Sequence, residues 1–266
     1  MTAEWVPPEV DTRVPNPARV YDYWLDGDHN FQADRELAEQ IIRIMPGVRD
    51  ASRLNRAFLR RAVEFMVDAG IRQFLDIGSG IPTVGNLHEI AQRADPECKV
   101  VYVDKDPVAV AHSRLLLKGN DRTAVVRADL RDASRILTEA GRLLDFDRPV
   151  GLFMLLLLHF VPDSWDPAGI VARYRDNLSS GSYLALTHVA ADSDTPELTD
   201  AIEAYKSTRV EAYPRTHEAV SRLFTGFDFV EPGLVGCAMW RPQGAGDVSD
   251  QPEINLLPYA GVARKP

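Results

Sequence analysis

The chain has 266 residues, a net charge of −9 and 45% apolar residues, a composition that suits one large globular domain or a domain with an appendage. A chain of this length buries roughly three quarters of its unfolded surface without disulfides, and its two cysteines, Cys98 and Cys237, have no framework or Cys-x-x-Cys spacing, which fits a reducing cytoplasm. The acidic excess lacks the basic clusters that phosphate neutralisation needs, and neither the acidic, Pro-rich start nor the apolar run 150–158 has the character of a signal peptide or a membrane span, so nucleic-acid and membrane partners are not expected.

The first sixteen residues read as an irregular lead-in. Asn16-Pro17 then predicts a helix start, Asn as N-cap and Pro with φ already set at the first helical position. This helix carries ARVYDYWL and stops at the Asp26-Gly27-Asp28 turn. Leu37, Ala38, Ile41, Ile42 and Ile44 recur at helical spacing in a second helix, ended near Pro46-Gly47. A third, capped by Asp50, presents Leu54, Phe58, Ala62, Phe65 and Met66 as its apolar stripe and closes at Gly70.

At Arg72 the period changes. The run QFLDIG predicts a buried strand, followed by a helix over 82–94 opened by Pro82. Alternation continues: strand 99–104, helix 107–117, strand 123–129, helix 133–144, strand 150–157, helix 167–178, and a strand carrying SYLALTHV after Gly181. Five strands separated by helices mean βαβ units and a mostly parallel sheet. Two more helices, 196–212 and 216–224, precede the β-like runs 227–235 and 256–263, which are joined without a helix across a Gly- and Pro-containing loop, 242–252. A closing hairpin departs from a dinucleotide-binding sheet, which would go on adding parallel strands.

FLDIGSGIPT is the strongest chemical signal. A strand delivers its carboxyl end to a turn where Gly78 and Gly80 remove Cβ atoms, so a ligand can lie against backbone, although a tight strand-to-helix turn explains a bare match equally well. Asp104 ends the next strand, at the rim where an open α/β sheet binds its ligand, and is placed to accept from both ribose hydroxyls. The competing role of helix cap falls better to Asp106. Asp129 ends the third strand, where an acid or adjoining backbone can accept from an adenine amine, with helix capping by Asp132 as the other explanation of that acidic cluster. The third small residue of a dinucleotide fingerprint would be Thr83, preceded by Pro82, which lacks an N–H for phosphate. The site therefore suits a ligand without a diphosphate, and S-adenosylmethionine is one.

The segments DIGSGIPT, VYVDKDP, ADLRD, LHFVPD and GSYLALTH, in that order, resemble class I S-adenosylmethionine-dependent methyltransferases. PARVYDYWLDGDHNFQADRELAEQ and RLNRAFLRRAV are similar, more narrowly, to the actinobacterial S-adenosyl methyltransferase family long catalogued as a domain of unknown function. The stretch Leu25 to Asn30 departs from that family's Gly-Gly-Lys-type turn. The resemblance implies an α/β fold whose Rossmann-like sheet has seven strands, mostly parallel with an antiparallel last strand, over residues 71–266. It implies a helical N-terminal cap within 1–70. It also implies that Asp76 lies near the methionine amino group, that Gly78, Ser79 and Gly80 line methionine and ribose, that Asp104 and Lys105 meet the ribose, and that Asp129 and Leu130 border the adenine. Leu157 and His159 after the fourth strand, with Tyr21, Tyr23, Asn30 and Arg56 from the cap, complete the expected donor set.

On the acceptor side, His159 in LLLLHFVPD is a candidate general base, against the alternative that it only bonds a neighbouring loop. His188 is a second, weaker candidate. Tyr21, Tyr23, Trp24 and Phe31 suit packing, although a sulfonium favours aromatic faces. Arg53 and Arg56 suit a solvated helix face, with Arg56 also placed for a methionine carboxylate. Tyr205, Arg209, Tyr213 and Arg215 are candidate walls of an acceptor pocket. Asp26, Asp28 and His29 cluster in a turn-rich stretch, and no metal is expected there. The expected function is methyl transfer from S-adenosylmethionine to a small or medium-sized acceptor. A catalytically silent donor-binding protein and an NAD(P)-dependent oxidoreductase are the alternatives on the same fold.

Overall fold

A computed structural model describes residues 7–8, 10–82, 85–191, 196–206 and 211–266. Three helices come first: α1 (Pro17–Trp24), α2 (Gln32–Ile44) and α3 (Val48–Asp68). Asn16 caps α1 through its side chain, which accepts from the Ala18 N–H at 2.8 Å. Asp50 is not the cap of α3. The helix begins at Val48 with Gly47 in the capping position, and Asp50 lies in its first turn, where a carboxylate still complements the helix dipole.

Strands β1 (Gln73–Ile77), β2 (Lys99–Asp104), β3 (Thr123–Arg127), β4 (Gly151–Leu155) and β5 (Tyr183–His188) alternate with helices α4 (Leu87–Ala94), α5 (Pro107–Leu116), α6 (Ala133–Ala140) and α7 (Pro167–Arg175). Helix α4 starts five residues later than Pro82 predicts. Glu89 accepts from the Asn86 backbone N–H at 2.8 Å, so a capping arrangement at Asn86 sets the start. Pro82 lies in the irregular segment before it, and Thr83 is outside the described residues. After α8 (Pro196–Tyr205) and α9 (His217–Arg222), β6 (Asp228–Phe229), β7 (Val235–Gly236) and β8 (Tyr259–Arg264) close the sheet.

The strand order is β3-β2-β1-β4-β5-β8-β6, and β7 also pairs with β8. Neighbours from β3 through β5 are parallel, whereas β8 runs antiparallel to β5, β6 and β7. The sheet thus has eight strands where seven are expected. The run 227–235 is interrupted, and its two ends pair separately with Arg264–Ala263 and Ala260–Tyr259 on the same edge of β8.

Period-two alternation assigns each strand residue to a face. Leu75, Ile77, Leu152, Met154, Leu184 and Leu186 pack against α6, α7 and α9. Phe74, Phe153 and Ala185 face the other way, against the long α3 and against α4. A third cluster, built on Val20, Trp24, Leu37, Ile41 and Ala201, joins α1 and α2 to α8. No helix among the described residues is long and apolar enough to cross a membrane.

Candidate functional site

The carboxyl ends of β1 to β4 open into a cavity of about 980 Å³, at the upper end of the ~300–1,000 Å³ typical of small-molecule sites. Residues of α1, α2, α3 and α8, together with the segment 251–259, line its other sides.

Asp76 shares a face of β1 with Phe74 and so is directed toward α3. It is buried, and no described residue donates a hydrogen bond to its carboxylate. Burial pushes its pKa up to about 7, with the Arg56 guanidinium pulling it down and Asp104 adding to the rise. After β1 the chain turns through Gly78 (φ +72°) and Gly80 (φ +66°). A Cβ on Gly78 would fall 2.5 Å from Leu157 Cδ1, so close packing with the β4 end demands glycine there. A Cβ on Gly80 would meet nothing within 4 Å, so its backbone borders open space on the cavity wall.

Asp104 does a job that strand position alone does not reveal. One oxygen accepts from the Gly80 N–H at 2.8 Å and the other from the Asp106 N–H at 2.8 Å, so it holds the glycine turn to the β2 end. Burial raises its pKa and these two bonds oppose the rise. Asp106 caps α5 by accepting from Val108 and Ala109, as expected. Asp129 lines the cavity but pairs with Arg131, which lowers its pKa. Leu130 also lines the cavity, and its carbonyl accepts from Tyr174. Ser79, Lys105 and Leu157 are on the wall as well.

The cap residues divide. Tyr21 lines the cavity, and its hydroxyl is buried and pushed up to about pKa 12. Tyr23 and Asn30 are not on the cavity wall. Tyr23 donates to Glu39 at 2.6 Å, and Asn30 is consumed by the turn after α1, donating to Asp22 and the Gly27 carbonyl at 2.8 Å each. That turn packs so tightly that a Cβ on Gly27 would fall 2.1 Å from Asp22 Oδ1. Arg53 bonds Asp26 at 3.0 Å on the surface, whereas Arg56 is on the cavity wall and donates to the Gly85 carbonyl at 2.7 Å.

His159 is buried in a short 3₁₀ turn after β4, on the cavity wall, and its Nδ1 is buried with no hydrogen-bond partner among the described residues. Burial, with His188 and Arg215 nearby, holds its pKa well below the usual histidine value, so the imidazole is neutral. Arg215 does not line the cavity. Its guanidinium is buried and donates to the carbonyls of Leu158 at 2.9 Å and Val161 at 2.6 Å, and to Asp163 at 2.7 Å, clamping the turn that carries His159. Arg215 also meets His188 Nε2 at 2.9 Å. A guanidinium can only donate, so Nε2 accepts, and the His188 proton is on Nδ1, bonded to the Val189 carbonyl at 2.8 Å. Burial lowers its pKa to about 4, and His188 is a structural group rather than a base at neutral pH. Tyr213 likewise stands off the wall, with its hydroxyl on Glu211, while Tyr205 is on it. Arg209 is outside the described residues.

One network has no signature in the sequence. Tyr21 OH accepts from Asn55, Asn55 Oδ1 accepts from Thr187, and Thr187 Oγ1 accepts from the Leu156 N–H, at 2.9, 2.7 and 2.9 Å. It links α1 and α3 to the ends of β5 and β4, where Leu156 holds φ at +44°, a strained conformation for a branched side chain.

A mostly parallel sheet with an antiparallel strand inserted before its edge, and a cavity over the carboxyl ends of β1 to β4, define a class I methyltransferase. A profile of the S-adenosyl methyltransferase family matches residues 3–266, and the chain belongs to that family as a methyltransferase using S-adenosylmethionine. It is similar to a DUF574 family protein from Streptomyces avermitilis, with 41% identity, 96% of this chain and 99% of that one covered, and a TM-score of 0.92. A Thermobifida fusca protein provisionally described as a methyltransferase has 40% identity, 99% coverage of both chains and a TM-score of 0.92. A plantazolicin methyltransferase solved with S-adenosylhomocysteine shares the fold, with a TM-score of 0.54 at 11% identity over 94% of this chain and 96% of that one. No curated protein matches the sequence. Family membership replaces the oxidoreductase alternative.

Proposed function

We propose that the chain transfers a methyl group to a small or medium-sized molecule, with donor binding by Asp76, the Gly78–Gly80 turn and Asp104, and with His159 facing the acceptor. One observation carries the donor assignment. A buried carboxylate without a hydrogen-bond donor stands beside a glycine turn whose open side has room for a ligand. An ammonium group supplies the hydrogen-bond donor that Asp76 lacks, and the Arg56 guanidinium on the same cavity wall suits a carboxylate, so the two polar ends of an amino-acid moiety find partners. Asp104 uses one lone pair of each oxygen on backbone, and its remaining lone pairs are free to accept from ribose hydroxyls. Leu130 and Leu157 offer apolar surface to a flat base.

When bound, S-adenosylmethionine supplies a methyl carbon activated by its sulfonium. The chain's own contribution is alignment and exclusion of water by the α1–α2 cap, with the neutral His159 imidazole available to take a proton. Domain limits of 1–70 for lead-in and cap and 71–266 for the sheet domain follow from the same division of labour. Both cysteines are buried thiols, consistent with a cytoplasmic protein. Titration calorimetry with S-adenosylhomocysteine tests the reading. Micromolar binding that Asp76→Ala weakens at least roughly tenfold is expected, and unchanged affinity refutes it.

A further inference from the structure

The cavity is larger than its donor end requires, and its far wall has a composition of its own. Charged side chains on the wall are concentrated at the strand ends and on α3: Asp76, Asp104, Lys105, Asp106, Asp129 and Arg56. Elsewhere only Glu197 and Glu253 join them, both exposed at the rim, and no other lysine or arginine lines the cavity among the described residues. What remains is mostly apolar and aromatic, with Asn16, Ser52, Asn55, Ser79 and Gln251 as its uncharged polar members. His159 and Phe160 have ring centroids 3.9 Å apart, Phe160 and Tyr205 6.1 Å, Tyr205 and Trp24 6.4 Å, and Trp24 and Tyr21 6.4 Å. All five line the cavity, so a continuous band of rings runs from the buried histidine to the cap. At its inner end is His159, whose buried Nδ1 has no hydrogen-bond partner among the described residues.

We propose that the methyl acceptor is an uncharged, flat aromatic molecule bearing a hydroxyl, its ring packed along Phe160 and Tyr205 and its hydroxyl hydrogen-bonded to His159 Nδ1. This rests on the donor reading above. A carboxylate or phosphate on the acceptor would lose its hydration among these rings with no cation to replace it, and an ammonium would find no buried carboxylate beyond those committed to the donor. Flat rings, in contrast, gain offset and edge-to-face contacts with every member of the band. The chemistry balances with the groups named. The hydroxyl oxygen forms a bond to the methyl carbon, the carbon–sulfur bond breaks with its electrons remaining on sulfur as a thioether, and the hydroxyl proton passes to His159 Nδ1. Burial leaves this imidazole unprotonated, so Nδ1 offers a lone pair to the hydroxyl, and the proton moves to it as the oxygen–carbon bond forms and makes the hydroxyl acidic.

Binding of S-adenosylhomocysteine to the full-length protein is measured first. The loaded protein is then titrated with 2-naphthol, its charged analogue 2-naphthoate and the non-aromatic cyclohexanol, and 2-naphthol is incubated with S-adenosylmethionine while its methyl ether is followed by mass spectrometry. The expected result is 2-naphthol binding at least roughly tenfold tighter than either comparator, a preference that Tyr205→Ala abolishes while S-adenosylhomocysteine affinity is retained. His159→Gln is expected to retain 2-naphthol binding and to lose ether formation. Normal S-adenosylhomocysteine binding with no 2-naphthol binding, or with 2-naphthoate or cyclohexanol bound equally well, overturns the aromatic acceptor and leaves the donor reading standing. Failure of S-adenosylhomocysteine to bind refutes the donor reading and this inference with it.

Discussion

Asp76 holds a charge where folding disfavours it, and replacing it should separate stability from function. In the ligand-free protein its pKa is pushed from 3.8 up to about 7. Below about pH 4 the group is protonated in both folded and unfolded chains and contributes nothing. As pH rises toward 7 the unfolded chain ionises first, so stability is lost progressively, and above 7 the loss is complete. A gap of about three pH units at ~1.4 kcal/mol each amounts to roughly 4 kcal/mol. The attraction to Arg56 is already contained in that shift, so Asp76→Asn, a neutral isostere, should gain roughly 4 kcal/mol near pH 8, or about 8–15 °C in Tm. His188 titrates in an overlapping window with the opposite sign. Its pKa is lowered to about 4, so the unfolded chain takes up a proton first and stability falls as pH drops from about 6.5 toward 4, in wild type and variant alike. The difference between the two unfolding profiles therefore isolates Asp76. Thermal unfolding of both ligand-free proteins from about pH 4.5 to 8.5, paired with S-adenosylhomocysteine titration, is the assay. A variant that is more stable only at high pH and binds at least tenfold more weakly is expected for a site where stability is given up for function. Parallel stability profiles, or a variant less stable at every pH, would refute the claim that this carboxylate is strained by burial.

Asp104→Ala should weaken S-adenosylhomocysteine by roughly 1–3 kcal/mol in calorimetry, because it loses the oxygens proposed to accept from the ribose and the bond that holds the Gly80 N–H. Asp104→Asn, which keeps one carbonyl oxygen, should recover part of it. Asp247→Ala should lower stability by about 3–5 kcal/mol in urea unfolding, since the Arg61 guanidinium is fully buried with Nη1 2.6 Å from Asp247 Oδ1, while donor affinity is unchanged. Tyr21→Phe should cost about 1 kcal/mol of stability and weaken donor binding, because its hydroxyl joins α1 to Asn55 and, through Thr187, to the β4 end. Equal affinities in wild type and this variant would show that the network is only structural.

The residues at the ends of β1 and β2 were legible because two periodicities meet there. Apolar runs mark buried strands, and the first Asp and Gly after each run must fall at the sheet's carboxyl rim. Asn16-Pro17 and Asp106-Pro107 marked helix starts for equally local reasons, a side-chain acceptor followed by a preset φ. Pro82 misled by the same logic, since a cap at Asn86 with Glu89 three residues on wins the start of α4. Tertiary structure decided the rest, because it depends on which helix faces cross. Arg215 reads as a pocket wall until the turn 158–163 is seen wrapped around its guanidinium, and Tyr23 reads like Tyr21 until the helix turns one inward and the other toward Glu39. The band from Tyr21 through Trp24, Tyr205 and Phe160 to His159 gathers rings from α1, α8 and the β4 turn. Each ring has an ordinary packing role in its own segment, and only the approach of those three segments makes them a surface.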